Sequence, residues 1–267
     1  MNRAERAAVR AGIFINILRS QGVALGEGAH ALDLGCGAGH LVKALRNRGL
    51  DSYGCGFGLR DPHYVAEDSV VQQGILREIT TNPYRIPFDD HFFDVVISNQ
   101  VFEHVMDYPT TLREIHRVLT PGGAFLHIFP SRYKFIEPHM LVPLGGVLRS
   151  RWWLKSWALV GIRNEFQRKL SAAQACEANR KYLTTRTNYL PKRELQRQFS
   201  RFYTDVRFVE DAFLQNSMRG RKIHEMRRWL PFLPRLYSTV RCRVVFGRRG
   251  ASPAAGVSLG GSSAFPR

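Results

Sequence analysis

The sequence predicts an α/β fold, a doubly wound, mostly parallel sheet of seven strands, on three observations. Short apolar runs alternate with amphipathic stretches across residues 30–130. The run FDVVISN (93–99) sets Val95, Val96 and Ile97 side by side, the mark of a strand covered on both faces. The first run, HALDLG (30–35), opens into the glycine-rich turn GCGAG and then a helical pattern. Repeated strand–helix–strand order requires crossover connections and hence parallel neighbours.

Each element follows in turn. Residues 3–20 read as a basic helix. After the first strand, GHLVKALRNR (39–48) places Leu41, Val42 and Leu45 at helical spacing, and Gly49 stops it. A second strand over 51–56 ends in the turn GCGFG; a loose helix is expected at 62–73 and a third strand in GILREIT (74–80). FDVVISN is the fourth strand. TTLREIHRVL (110–119) is a helix closed by T-P-G-G at 120–123, and AFLHIF (124–129) is the fifth strand. Residues 131–182, rich in Trp and Arg and without clear alternation, read as an insertion after that strand. A helix over 191–200, with Pro191 in its first turn, precedes two last strands, TDVRFVEDAF (204–213) and STVRCRVVFG (238–247). One domain over 1–249 is expected, with a Gly/Ser/Ala/Pro-rich, disordered tail at 250–267.

With 267 residues, 44% hydrophobic and 23% charged, the chain is long and apolar enough to bury a core, which excludes disorder as its main state. The net charge of +17 is unevenly spread. Residues 1–130 hold 12 basic and 14 acidic side chains, whereas residues 131–250 hold 26 basic and 8 acidic. A neutral front and a polycationic back suit an anionic partner, or a solvated cationic surface with none. Cys36, Cys55, Cys176 and Cys242 stand far apart, so neither a disulfide framework nor a paired-cysteine zinc site is indicated. No run approaches the ~20 apolar residues of a membrane span, and the N-terminus does not read as a signal peptide. The expected location is cytoplasmic, with peripheral attachment at the inner membrane surface as an extension.

The turn ALDLGCGAGHL (31–41) carries most of the chemistry. Gly35, Gly37 and Gly39 allow a tight turn and close approach of a ligand to the backbone. A dinucleotide fingerprint would read G-x-G-x-x-G around a pyrophosphate. Here the spacing is G-x-G-x-G, and Asp33 precedes it. A carboxylate in that place repels a pyrophosphate and holds a cationic group instead.

Three segments, DLGCGAG, IPFDDHFFDVVISNQVFEHV (86–105) and RVLTPGGAFLHIFP (117–130), resemble the first, fourth and fifth strand motifs of class I S-adenosylmethionine-dependent methyltransferases. The resemblance implies a Rossmann-like methyltransferase fold, S-adenosyl-L-methionine as cofactor, and methyl transfer to an O or N atom. It implies that Asp33, Gly35, Cys36, Gly37 and Gly39 hold the methionine part. The family's second strand normally ends in a carboxylate that binds both ribose hydroxyls; this chain has Gly56 there, leaving backbone groups from Cys55 to Gly58 for that role. Asn82 stands where the family's adenine-binding Asp is expected, and Asn99 ends the fourth strand beside the cofactor.

Ligands of open α/β sheets lie beyond the carboxyl ends of the strands. This makes Asn99, Gln100, Glu103, His104, Ser131, Glu137 and His139 candidates for the acceptor end, with Glu103, His104 and His139 as the catalytic choices. His104 suits a packed position at a helix start beside the cofactor pocket more than a catalytic one, and His139 suits a hydrogen-bonded loop position as well as a base. His127, inside a strand, reads as structural, and His116 as a surface residue. Some relatives bind magnesium through an E-x-x-x-E-H or E-x-x-E-H segment; Asn99 and Gln100 occupy the two places of the earlier carboxylate, so no metal is expected. In residues 141–170, Trp152, Trp153 and Trp157 stand among Arg149, Arg151, Lys155 and Arg163. That mixture suits a lid over the acceptor or peripheral membrane contact. The expected acceptor is a small molecule, glycan or lipid, anionic or membrane-associated. Two alternatives stay open: an RNA-modifying or RNA-binding protein, on the basic half, and a non-catalytic protein of this fold, on Gly56 and Asn82.

Overall fold

The computed structural model describes residues 1–59 and 73–250. The described strands are β1 (His30–Leu34), β2 (Asp51–Gly56), β3 (Leu76–Glu78), β4 (Thr80–Thr81), β5 (Tyr84–Arg85), β6 (Phe93–Asn99), β7 (Leu119–Pro130), β8 (Thr204–Phe208) and β9 (Cys242–Arg248). The α-helices are α1 (Arg3–Ser20), α2 (His40–Arg46), α3 (Tyr108–Val118), α4 (Arg151–Leu159), α5 (Ala172–Thr185), α6 (Lys192–Phe199), α7 (Glu210–Asn216), α8 (Met218–Glu225) and α9 (Leu233–Arg241).

Seven strands form one sheet in the order β3-β2-β1-β6-β7-β9-β8, and β4 and β5 make a separate hairpin. The pairs among β3, β2, β1, β6 and β7 are parallel, while β9 runs antiparallel to both β7 and β8. Period-two alternation explains the consecutive apolar residues of β6. Val95 and Ile97 enter one core with Ala31, Leu126, Val244 and the buried face of α1. Val96 enters the opposite core with Leu32, Phe125, Val245, α3 and α6. A strand that serves two cores has no solvent face to make polar.

Helix α1 is fixed by a reciprocal cap, in which Asn2 accepts from Glu5 N and Glu5 accepts from Asn2 N. Beyond β7, α4 begins on a Ser150 cap and α5 on a Ser171–Gln174 capping box. These helices share a small core of Met140, Val142, Leu154, Cys176 and Leu183, with Trp153 and Trp157 half-buried against it. Trp153 Nε1 donates to Pro143 O at 2.8 Å, so this tryptophan is structural, whereas Trp152 is 73% exposed.

Several boundaries differ from the sequence expectation. The strand expected over 204–213 ends at Phe208, because α7 starts at Glu210 with Glu210 and Asp211 in its first turn, where the helix dipole favours acids. The strand expected over 238–247 begins at Cys242, because α9 continues through Arg241. GILREIT divides: only Leu76–Glu78 joins the main sheet, and Thr80–Thr81 turns into the hairpin. The helix expected at 62–73 and the tail from 251 onward lie outside the described residues, apart from Gln73.

Candidate active site

The turn after β1 is built from left-handed backbone. Gly35, Gly37 and Gly39 have φ of 77°, 52° and 77°. A Cβ on Gly35 would lie 2.3 Å from Val101 Cγ2, and one on Gly39 would lie 2.7 Å from Leu76 Cδ1. Both conformation and space therefore require glycine. Gly35 N and Cys36 N donate to Cys55 O at 2.7 and 3.1 Å, tying the turn to the end of β2.

A cavity of about 270 Å³ opens beside this turn. One wall is Asp33, Gly35, Cys36, His40 and Asn99, and the other is Arg3, Arg6, Ala7 and Arg10 from α1. Burial pushes the Asp33 carboxyl up to about 7, against the opposing pull of the Arg10 charge. Burial likewise raises the Cys36 and Cys55 thiols, which keeps both protonated and unreactive.

A second cluster forms beyond the carboxyl ends of β6 and β7. One ligand-capable atom from each of Glu103, His104 and His139 lies within 4.8 Å of the others. Glu103 is 1% exposed and burial raises its acid to about 7; neither carboxylate oxygen has a hydrogen-bond partner. His104 Nε2 is 4.0 Å from Glu103 Oε1, and its Nδ1 is 2.8 Å from Arg186 O. Burial holds His104 below the ordinary imidazole range. His139 Nδ1 is 2.8 Å from Glu137 Oε1. Burial alone would raise Glu137, but hydrogen bonds from His139, Tyr189 and Met140 N outweigh it and hold the acid low. The segment after α5 laces this corner together: Asn188 N donates to Glu103 O at 2.7 Å and Asn188 Nδ2 to Val105 O at 3.0 Å.

Of the residues singled out from sequence, Asp33, Gly35, Cys36 and Asn99 line one cavity, and Glu103, His104 and His139 converge on one corner. Gly37 and Gly39 shape the turn without lining the cavity. Cys55 needs correction: its thiol is buried and its carbonyl already accepts two turn amides, so it braces the turn and offers nothing to a ligand. Asn82 lies exposed at the tip of the β4–β5 hairpin and is not among the described residues that line the cavity. Gly56 sits beside Glu78 in the β2–β3 register, and Gly58 N donates to Glu78 Oε1 at 3.0 Å. His127 is fully buried, with Nδ1 2.9 Å from Ser98 Oγ, a structural position.

Sequence reasoning missed Arg3, Arg6 and Arg10. Their spacing of three and four residues puts them on one helix face, a signal that was available. Glu78 was missed because the carboxylate was sought at the end of β2 and not on the neighbouring strand.

Residues 32–127 match the family of methyltransferase domains. The chain is 36% identical over 102 residues to 2-phytyl-1,4-naphtoquinone methyltransferase of Nostoc punctiforme, covering 36% of this chain and 44% of that one. It is 34% identical over 99 residues to ubiquinone biosynthesis O-methyltransferase of Pseudomonas aeruginosa, covering 36% and 42%. The alignments thus span less than half the length of these curated relatives. Among solved structures, an S-adenosylmethionine dependent methyltransferase from Mesorhizobium loti has a TM-score of 0.51 at 15% identity, over 90% of this chain and 100% of that one. The fold is shared.

Proposed function

We propose that this chain, whose residues 32–127 match the methyltransferase-domain family, is a class I methyltransferase that transfers a methyl group from S-adenosylmethionine to an oxygen or nitrogen of a small-molecule acceptor. One observation carries the reading: the buried Asp33 carboxylate and the glycine turn at Gly35 and Cys36 border the same cavity. That combination fits an α-amino acid group. Asp33 faces the ammonium, while the guanidinium groups of Arg3, Arg6 and Arg10 suit the carboxylate on the opposite wall.

Glu78 takes the ribose. Leu76 and Glu78 alternate with Arg77, and Leu76 packs against Cys36 and Val42 on the side of the glycine turn. Glu78 therefore projects to the cofactor face beside Gly56, where the family's carboxylate would stand. When bound, S-adenosylmethionine supplies a methyl group on a cationic sulfur, already activated for in-line displacement. The protein's part is placement. Asn99 borders the cofactor cavity, and four positions later the chain reaches Glu103 and His104, so the acceptor is received at the Glu103–His104–His139 corner.

The acceptor class extends from the relatives' names, which specify naphthoquinone and ubiquinone-pathway methylation. An acceptor that partitions into membranes, lipid or glycan-lipid in kind, fits the exposed Trp152, Leu159, Val160 and Phe166 near the basic residues of α4. Such an acceptor goes with a peripheral position at the cytoplasmic membrane surface. The polycationic back half supports a second reading, methylation of RNA, which predicts binding that falls steeply with salt. Calorimetry with S-adenosylhomocysteine tests the central claim. One site per chain is expected, lost in Asp33→Asn; stabilisation by NAD in its place would overturn it.

A further inference from the structure

We infer that Glu103, His104 and His139 form a binding site for one divalent first-row transition-metal ion, with zinc(II) as the simplest occupant. The sequence alone predicts no metal, because Asn99 and Gln100 replace the earlier carboxylate of an E-x-x-x-E-H or E-x-x-E-H segment. The fold supplies a donor that the motif alone lacks, from the segment after β7: His139 lies against His104, their ring centroids 4.8 Å apart and their planes at 75°.

The two imidazoles are oriented as ligands. A backbone carbonyl only accepts, so the 2.8 Å contact to Arg186 O puts the proton of His104 on Nδ1 and the lone pair on Nε2. Glu137 does the same for His139. Its carboxylate faces Nδ1 at 2.8 Å and is itself held by His139 N, Met140 N and Tyr189 OH. An imidazole whose outer nitrogen donates to a carbonyl or carboxylate is the usual supported metal ligand.

The third donor explains why an ion belongs there. Glu103 is buried with both oxygens lacking a hydrogen-bond partner, and its ion-pair neighbour among the described residues, His104 Nε2, is 4.0 Å away. A buried carboxylate without partners is strongly disfavoured unless a cation completes it. Two imidazoles and one carboxylate suit zinc, iron or manganese in their divalent states, whereas magnesium and calcium prefer oxygen donors throughout. The 4.8 Å spread is wider than the separation of donors held at ~2.0–2.2 Å from one zinc ion, so binding draws the three side chains together. Three protein donors also leave coordination positions for water or an acceptor oxygen. The site lies at the acceptor end proposed above, yet ion binding does not depend on the reaction being methyl transfer.

The test uses the full chain after treatment with EDTA. Zinc(II) is titrated by calorimetry, and cobalt(II) is followed by its visible absorption. The wild type is expected to bind one equivalent of each. Glu103→Gln and His139→Ala should each weaken binding at least about tenfold, Glu137→Gln by about 10- to 100-fold, and His224→Ala, on α8, should leave it unchanged. Glu103→Gln removes an unpartnered buried charge, so its metal-free form should melt at or above the wild-type temperature, which keeps this variant informative about binding. No saturable equivalent in the wild type, or wild-type affinity in Glu103→Gln, overturns the site. If S-adenosylhomocysteine fails to bind while zinc(II) still does, the methyl-transfer reading fails and the metal site stands.

Discussion

Asp33 sets stability against function, and Asp33→Asn separates the two. Burial raises its carboxyl from an ordinary 3.8 to about 7. The folded chain therefore binds this proton more tightly than the unfolded chain does. The sign follows: as pH rises through the window from the unfolded to the folded value, the folded state loses stability, and above about 7 the full cost is present. A shift of roughly three units corresponds to about 4 kcal/mol, an order-of-magnitude figure. The neutral amide of Asp33→Asn carries no such cost. At about pH 8 the variant should gain several kcal/mol, or on the order of 10 °C in melting temperature, and the gain should vanish toward about pH 4. The same variant should lose S-adenosylhomocysteine binding at every pH, since an amide provides no charge for an ammonium. Calorimetric melting of both proteins across this pH range, with and without the ligand, reads both effects. A variant less stable than wild type at alkaline pH, or one that retains ligand affinity, refutes the reasoning.

Other outcomes follow from the same geometry. Glu78→Gln should weaken S-adenosylhomocysteine binding by about 1.5–3 kcal/mol, or roughly 10- to 150-fold, through loss of a charged acceptor. Gly56→Asp should restore most of it in that background, because a Cβ there meets only ordinary contacts at 3.6–3.8 Å; affinity left unchanged by Glu78→Gln would dismiss the ribose role. Gly35→Ala combines about 1–2 kcal/mol of left-handed backbone strain with the clash at Val101, and should lower the melting temperature measurably while abolishing ligand binding. Trp152→Ala combined with Phe166→Ser removes two side chains exposed by 73% and 81%, and should reduce co-sedimentation with anionic vesicles without altering the melting curve. Equal sedimentation of variant and wild type would leave the membrane reading without support.

The parts of the fold legible from sequence were those whose physics is local. FDVVISN became β6 with the expected bounds, because a strand serving two cores must be apolar throughout. The glycine turn was legible because left-handed backbone leaves few other residues available. The errors at 209–213 and 238–241 arose where β-branched and aromatic residues lie at or on helices that pack against β9, so that tertiary packing overrode propensity. Within the candidate site, Asp33 and Asn99 were readable from their positions beside strand ends. The joining of His139 to Glu103 was not, since it depends on how residues 131–190 fold back and tie Asn188 onto Glu103. No local pattern encodes that return.

The order of strands also bears on how the chain must be made. β9 is the last described element to emerge during synthesis, yet it lies between β7 and β8 and hydrogen-bonds to both. Until residue 248 has left the ribosome, β7 presents an open backbone ladder and β8 has no neighbour, a state prone to pairing with other nascent chains. Closure is then locked from both ends, with Arg248 donating to Gln21 O and Gly22 O, and Arg249 donating to His116 O. A nascent chain halted a few residues short of this strand should remain protease-sensitive even with the entire glycine turn already exposed and folded.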